Sequence, residues 1–275
     1  MNGIDESRPR LILWQLTLAA VVLGAWEWGA AAKWLDPFFF SRPSEIVLRI
    51  AQWAGTGTIW VHLSTTFTEA MLSFVIGGVL GVIVGFALAG VPVLAALLEP
   101  YIRMANALPR VVLAPIFLLW FGLGIWSKVA LGVTVVFFVV FFNTYRGVRD
   151  VDRAFIDNAR MLGASDVQLV RHVLVPSAMT WIFSSLHISI GMAIIAVVVG
   201  EYLGASRGIG YLIAQAEGVF DTTGVFAGMT VLAAGVLLIG HVVGRFERRL
   251  LRWKPEHAEA RSERSAWSST ANNQR

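Results

Sequence analysis

Residues 157–176 read DNARMLGASDVQLVRHVLVP, a polar, arginine-bearing stretch held between two long apolar runs. A chain that leaves one apolar run, builds something compact in water and enters another is organised around a bilayer. The flanking residues make the compact part definite. Asp152 can cap a first short helix, and Gly163 stands where a left-handed residue ends it. Ser165-Asp166-Val167-Gln168 then has the Ser-x-x-Gln form of a capping box, with Asp166 at the positive helix start. A second helix is expected to begin there and to stop before Pro176, since the residue preceding proline avoids the α region. Spread over 30 residues, 146–175, this connection is much longer than a plain link between spans.

Composition agrees with a membrane setting. Apolar types make up 56% of the 275 residues and charged types 15%, and mean hydropathy is +0.68. A spanning helix needs roughly 17 to 25 mostly apolar residues. Runs at 11–32, 66–90, 179–203 and 225–243 meet that length, and 129–145 falls just short of it. The run 111–126 is short and contains Pro115, so a re-entrant segment competes with a sixth span, and six is the expected number. Continuous apolar runs exclude a barrel, whose strands would alternate polar and apolar residues. The expected fold is therefore all-α and polytopic, with six transmembrane helices.

Lys and Arg orient it. With both termini inside, the segments 1–10, 91–110, 146–178 and 244–275 hold 17 of the 22 basic residues. The outer segments keep Lys33, Arg42, Arg49, Lys128 and Arg207, as the positive-inside rule requires. The net charge of +4 thus reflects topology, and no base-reading motif points to nucleic acid. Residues 1–10 read as a cytoplasmic N-terminus, 11–253 as one membrane domain, and 254–275 as a polar tail with too little apolar area to fold. The first apolar run, with Ala30 to Ala32 at its end, superficially resembles a signal peptide. It is long for one, and its removal would invert the charge asymmetry.

The 157–176 segment resembles the EAA loop of ABC-transporter permeases. Asp157 and Ala159 stand at the acidic and alanine positions, Gly163 at the fixed glycine, and Val173, Val175 and Pro176 at the aliphatic-x-aliphatic-Pro ending. Asp157 replaces the usual Glu and Asn158 the first Ala. Further likeness lies in Arg42-Pro43-Ser44-Glu45, Trp120-Phe121-Gly122-Leu123-Gly124, Gly200-Glu201-Tyr202-Leu203-Gly204 and Gly208-Ile209-Gly210-Tyr211. These are similar to the branch that imports sulfonates, taurine, nitrate and related small molecules, over about residues 10–253. The resemblance implies a type I importer permease in the bacterial inner membrane, paired with a second copy of itself as a homodimer. It also implies two ATPase subunits docked on the 146–178 loop, Ser165 included, and an extracytoplasmic binding protein that delivers the solute.

Catalytic chemistry is missing. No Gly-x-x-x-x-Gly-Lys-Ser/Thr phosphate loop occurs, the five histidines lack metal-ligand spacing, and the chain has no cysteine. No cofactor or metal is expected, and no enzyme activity. Ser184, Ser185 and Ser189 accompany His187 in the fifth apolar run without an orienting acid or an oxyanion hole. Ser185, His187 and Ser189 are read either as interhelical hydrogen-bonding groups or as part of a solute path. Glu27, Glu69 and Glu201 lie in or near apolar runs, where an ionisable group is costly. Glu201, near the outer end of its run, is the candidate gate residue, with a solvated interfacial carboxylate as the alternative. Gly77, Gly81 and Gly85 recur at four-residue intervals and put a close-packing face on the second span. An ion-coupled secondary transporter, with midplane charges on broken helices, is the competing function. An intramembrane enzyme is disfavoured by the missing nucleophile and metal set.

Overall fold

The structure is a computed structural model, and it describes residues 7–250. The expected polar tail, 254–275, lies outside the described residues. Within them the chain is helical, with no strand. Six long elements dominate: α1 (Ser7–Ala31), α4 (Thr58–Gly90), α5 (Pro92–Ala107), α7 (Ile125–Arg149), α10 (Val175–Leu203) and α12 (Thr222–Leu250). Shorter helices fill the connections: α2 (Pro37–Phe40), α3 (Pro43–Gly55), α6 (Ala114–Phe121), α8 (Arg153–Met161), α9 (Asp166–Leu169) and α11 (Ile209–Gly218). Five helical stretches are individually long and apolar enough to cross a bilayer, and a sixth crossing exists if the bent α5 and α6 pair counts as one span.

That pair corrects the expectation for 111–126. The two arms meet at an angle of 88°. Pro109 supplies the break: it has no N–H to donate, and it holds the preceding Leu108 in an extended conformation (φ −65°, ψ 130°). A 3-10 turn, Arg110–Leu113, then leads into α6. The apolar segment thus begins at residue 92, not 111, and is bent at its middle, as a broken span or a re-entrant loop is.

The span expected at 66–90 extends back to Thr58, because its polar first turns bond to their own helix. Ser64 Oγ and Thr65 Oγ1 each donate to the Val61 carbonyl at 2.9 Å. A second departure occurs at Pro176. The helix does not stop there: a π-helical turn, Val170–Leu174, carries α9 straight into α10. The proline falls in the first turn of α10, where a missing N–H is least costly.

Lipid tails are as apolar as leucine, so these helices are held by close approach. Gly77, Gly81 and Gly85 lie buried on α4 against α7. A Cβ on them would stand 2.8 Å from the Val136 Cβ, 2.8 Å from the Val140 Cβ and 2.7 Å from the Thr144 Cβ. On the other side of α7, Ala193 of α10 joins Val136 and Val140 in one buried cluster. Ile59, Ile209, Leu212, Ile213 and Val231 unite α4, α11 and α12 near the opposite end of the molecule. The first helix is peripheral. It is pinned where Glu27 accepts hydrogen bonds from Ser44 N (3.0 Å) and Ser44 Oγ (2.8 Å) at the start of α3.

Candidate functional site

Two ends of the bundle and one groove between them carry the chemistry. The ends are called here the hairpin face, where 146–178 emerges, and the far face.

On the hairpin face, α7 ends at Arg149 and α8 begins after Asp152, whose Oδ1 accepts from Ala154 N at 2.9 Å. Gly163 turns the chain with φ +82° and has nothing within 4 Å of a Cβ position. The demand for glycine there is conformational, with no clash involved. Ser165 starts α9 with both halves of a capping box: Gln168 N donates to Ser165 Oγ at 3.3 Å, and Ser165 N donates to Gln168 Oε1 at 2.9 Å. The base of the hairpin is fixed by Val148 of α7 and Ala178 and Ile182 of α10, with Leu174 packed against them. Its tip presents Met161 (79% exposed) and Leu162 (89% exposed) side by side just before the Gly163 turn. Asp157 is exposed and Ala159 half-buried on α8, and Val173 and Val175 are half-buried on either side of the π-to-α junction. An element with capped helices, a fixed turn and an uncovered apolar tip is built to be gripped from outside.

The far face is built differently. Glu201, wholly buried, lies in the last turn of α10 and accepts from Thr66 Oγ1 on Oε1 at 2.7 Å and from Gly210 N on Oε2 at 2.8 Å. Thr66 Oγ1 in turn accepts from Ile209 N at 2.9 Å, and His62 Nδ1 accepts from Gly208 N at 3.0 Å. Three successive backbone N–H groups at the start of α11 are thus satisfied by side chains of α4 and α10. The carboxylate also sits at the positive end of that helix, where an anion is favoured. Lys128 (1% exposed) donates from Nζ to the Leu123 and Gly124 carbonyls at 2.8 and 3.2 Å. It interacts electrostatically with Glu69 and Glu201. Glu69 Oε2 is buried and has no hydrogen-bond partner. Four elements, α4, α7, α10 and α11, meet at this knot of charge.

Burial excludes the solvated interfacial carboxylate considered for Glu201. It also moves Lys128, counted in the sequence among outer loop residues, into the protein interior. Neither Lys128 nor Thr66 was singled out by pattern. The available signal was the coincidence of one lysine and two glutamates in the apolar parts of three separate spans.

Ser185 and Ser189 are buried on α10 and donate to their own helix, to the Ile182 and Ser185 carbonyls, each at 2.7 Å. His187 lies on the exposed side of α10, with Cε1 3.9 Å from a Cβ position at Gly244. The structure therefore does not gather these three residues with Glu201 into one site. None of the four lines the main groove.

That groove, of about 500 Å³, runs between α7 and α10 and is closed on one side by Asn106 and Arg110. Val135, Phe138, Asn143 and Met192 form part of its wall. The Arg110 guanidinium stands 4.4 Å over the ring centroid of Phe138, near the midpoint of the 25-residue α7. Arg110 had been grouped with the inner loop 91–110, and the break at Pro109 is what carries it inward instead.

Comparison with known proteins gives a consistent picture. Residues 77–253 match the family model described as "Binding-protein-dependent transport system inner membrane component". A Bacillus subtilis (strain 168) permease protein, provisionally named for aliphatic sulfonates, is 33% identical over 87% of this chain and 87% of its own length. A riboflavin transport system permease protein of Chloroflexus aurantiacus is 31% identical over 85% of this chain and 87% of its own. Among solved structures, an inward-facing MetNI methionine ABC transporter matches with a TM-score of 0.62 and 18% identity. That match covers 70% of this chain and 97% of the other.

Proposed function

Since the chain belongs to the family of binding-protein-dependent transport system inner membrane components, we propose that its hairpin is the dock for an ATPase and its far-face knot the anchor of a gate. The protein is a multi-pass inner-membrane permease subunit of an ABC importer, and it translocates a small solute without being an enzyme. Its general partners are an ATPase, a second permease and a binding protein.

The finer reading is as follows. Two copies of this chain pair in the membrane, and two ATPase subunits grip the two hairpins. The hairpin face is cytoplasmic, so both termini are too, and the far face meets the binding protein. The solute is small and sulfonate-like, as the Bacillus relative's name suggests. Asp157, Ala159, Gly163, Ser165, Val173, Val175 and Pro176 shape the dock.

One observation carries this reading: a hairpin with two capped helices, a left-handed glycine between them and an uncovered apolar tip is continuous through a π turn with the 29-residue α10. A partner that moves the hairpin must move α10, whose last turn carries Glu201 on the far face. The gate assignment for Glu201 follows from that connection.

Gly163→Val tests the dock. It strains the turn at φ +82° without creating a clash, so the protein should insert normally while co-purification with its ATPase falls at least tenfold. Unchanged co-purification would leave the hairpin an ordinary connector and place the dock elsewhere on the permease.

A further inference from the structure

Arg110 opens the turn between α5 and α6 and stands level with the middle of the apolar α7, where a charge is expensive. Its Nη1 donates to the Ala105 carbonyl at 2.6 Å, and its Nη2 to the Asn106 carbonyl at 3.2 Å and to Asn106 Oδ1 at 2.9 Å. These contacts cap the last carbonyls of α5. They use three of the five guanidinium N–H donors, and all of the acceptors are neutral. Among the described residues no carboxylate forms an ion pair with it. A capping role accounts for those three bonds, but it does not account for a groove of about 500 Å³ built round the cation.

The rest of the groove is complementary to a particular kind of solute. Asn106 adds a polar group beside the guanidinium and Asn143 another on the lining, while Val135, Phe138 and Met192 offer apolar wall. A charged head with a short apolar body satisfies both halves; a cation would meet Arg110 unfavourably.

We propose that Arg110 is the specificity-determining residue of the translocation groove, drawing in the anionic head of a small organic anion while the α7 and α10 walls pack its aliphatic part. The inference rests on the permease reading above. It selects anionic cargo over neutral or cationic cargo, a choice that the relatives, one named for sulfonates and one for riboflavin, leave open.

The test exploits the absence of cysteine from the chain. Val139→Cys, on the groove wall, supplies a sole thiol in the permease of the assembled complex with its ATPase. Its modification rates by sulfonatoethyl methanethiosulfonate, an anion, and by trimethylammonioethyl methanethiosulfonate, a cation, are compared. Any effect of Arg110 on thiolate formation acts on both reagents and cancels in the ratio. With Arg110 present the anionic reagent should react about tenfold faster, and Arg110→Gln should erase that preference while Arg110→Lys largely keeps it. Ethanesulfonate should slow the anionic reagent, and neutral dimethyl sulfone should not. This last comparison needs no Arg110 variant and decides the matter even if those variants fail to assemble.

A ratio indifferent to Arg110→Gln, equal protection by the two sulfur compounds, or a thiol reached by neither reagent would each overturn the proposal. Association of the ATPase with the hairpin is measured separately through Gly163→Val. A flat reagent ratio with normal docking therefore removes the anion site and leaves the permease reading intact.

Discussion

The hairpin and the far-face knot lie at opposite ends of α10 and are held in shape by opposite means. In the hairpin every decisive bond is local: Asp152 to Ala154, and Ser165 with Gln168. In the knot the decisive bonds span the chain, from Thr66 to Glu201 and from His62 to Gly208. The first is exposed and can change partners without losing its form. The second is buried and exists only when four elements are assembled. A lever that works by being gripped needs local stiffness, whereas an anchor that must release or hold α11 needs bonds that couple distant elements.

The contrast predicts unequal sensitivity, with the greatest at the knot. Lys128→Met removes the cation and leaves Glu69 and Glu201 facing each other in the interior. Breaking a buried charged group in this way costs about 3–5 kcal/mol, so the melting temperature of the detergent-solubilised protein should fall by roughly 10 °C. Tryptophan fluorescence on heating reads this directly. A fall of no more than about 2 °C would make the knot a bystander, and the contrast between the two ends would collapse.

Glu201→Gln is milder, and the geometry says why. An amide can keep its oxygen on Gly210 N and offer its nitrogen to Thr66 Oγ1, which then turns its own proton to the His62 carbonyl at 3.2 Å. The bonds survive, but the charge facing the start of α11 and Lys128 is lost. The expected cost is about 1–2 kcal/mol in stability, with solute uptake reduced several-fold because the gate anchor is weakened. Uptake at the wild-type rate would remove the gate role and leave Glu201 a purely structural cap.

The same contrast decides what was legible in the sequence. Asp152, Gly163 and the Ser165 box are read from spacing alone because cap chemistry is local. Most of the apolar runs are legible for the same reason, since length and hydropathy belong to each run separately. The knot is not legible, because nothing in the sequence near Lys128 announces Glu69 or Glu201, which lie far off along the chain. The break at Pro109 is not legible either, because Pro115 inside the apolar run carries the same local signal, and with it the inward position of Arg110 stays hidden. Pro176 misled in the other direction: a cap rule that ends many helices was overridden by a π turn that keeps α9 and α10 continuous.

The smallest effect should come from the most legible residue. Ser165→Ala removes one half of the capping box and exposes the Gln168 N–H to water, at a cost of about 1 kcal/mol. Because α9 has four residues, that loss is large for α9 and small for the bundle. Amide hydrogen exchange over 166–169 should quicken about fivefold, while the melting temperature stays within about 2 °C of wild type. The spread of the change matters more than its size. If faster exchange stops at the π turn, Val170–Leu174, then the hairpin is a separately stable lever joined to α10 by a distinct seam. If it runs on into 175–203, hairpin and span unfold as one unit, and the local stiffness that distinguishes the hairpin from the knot is lost.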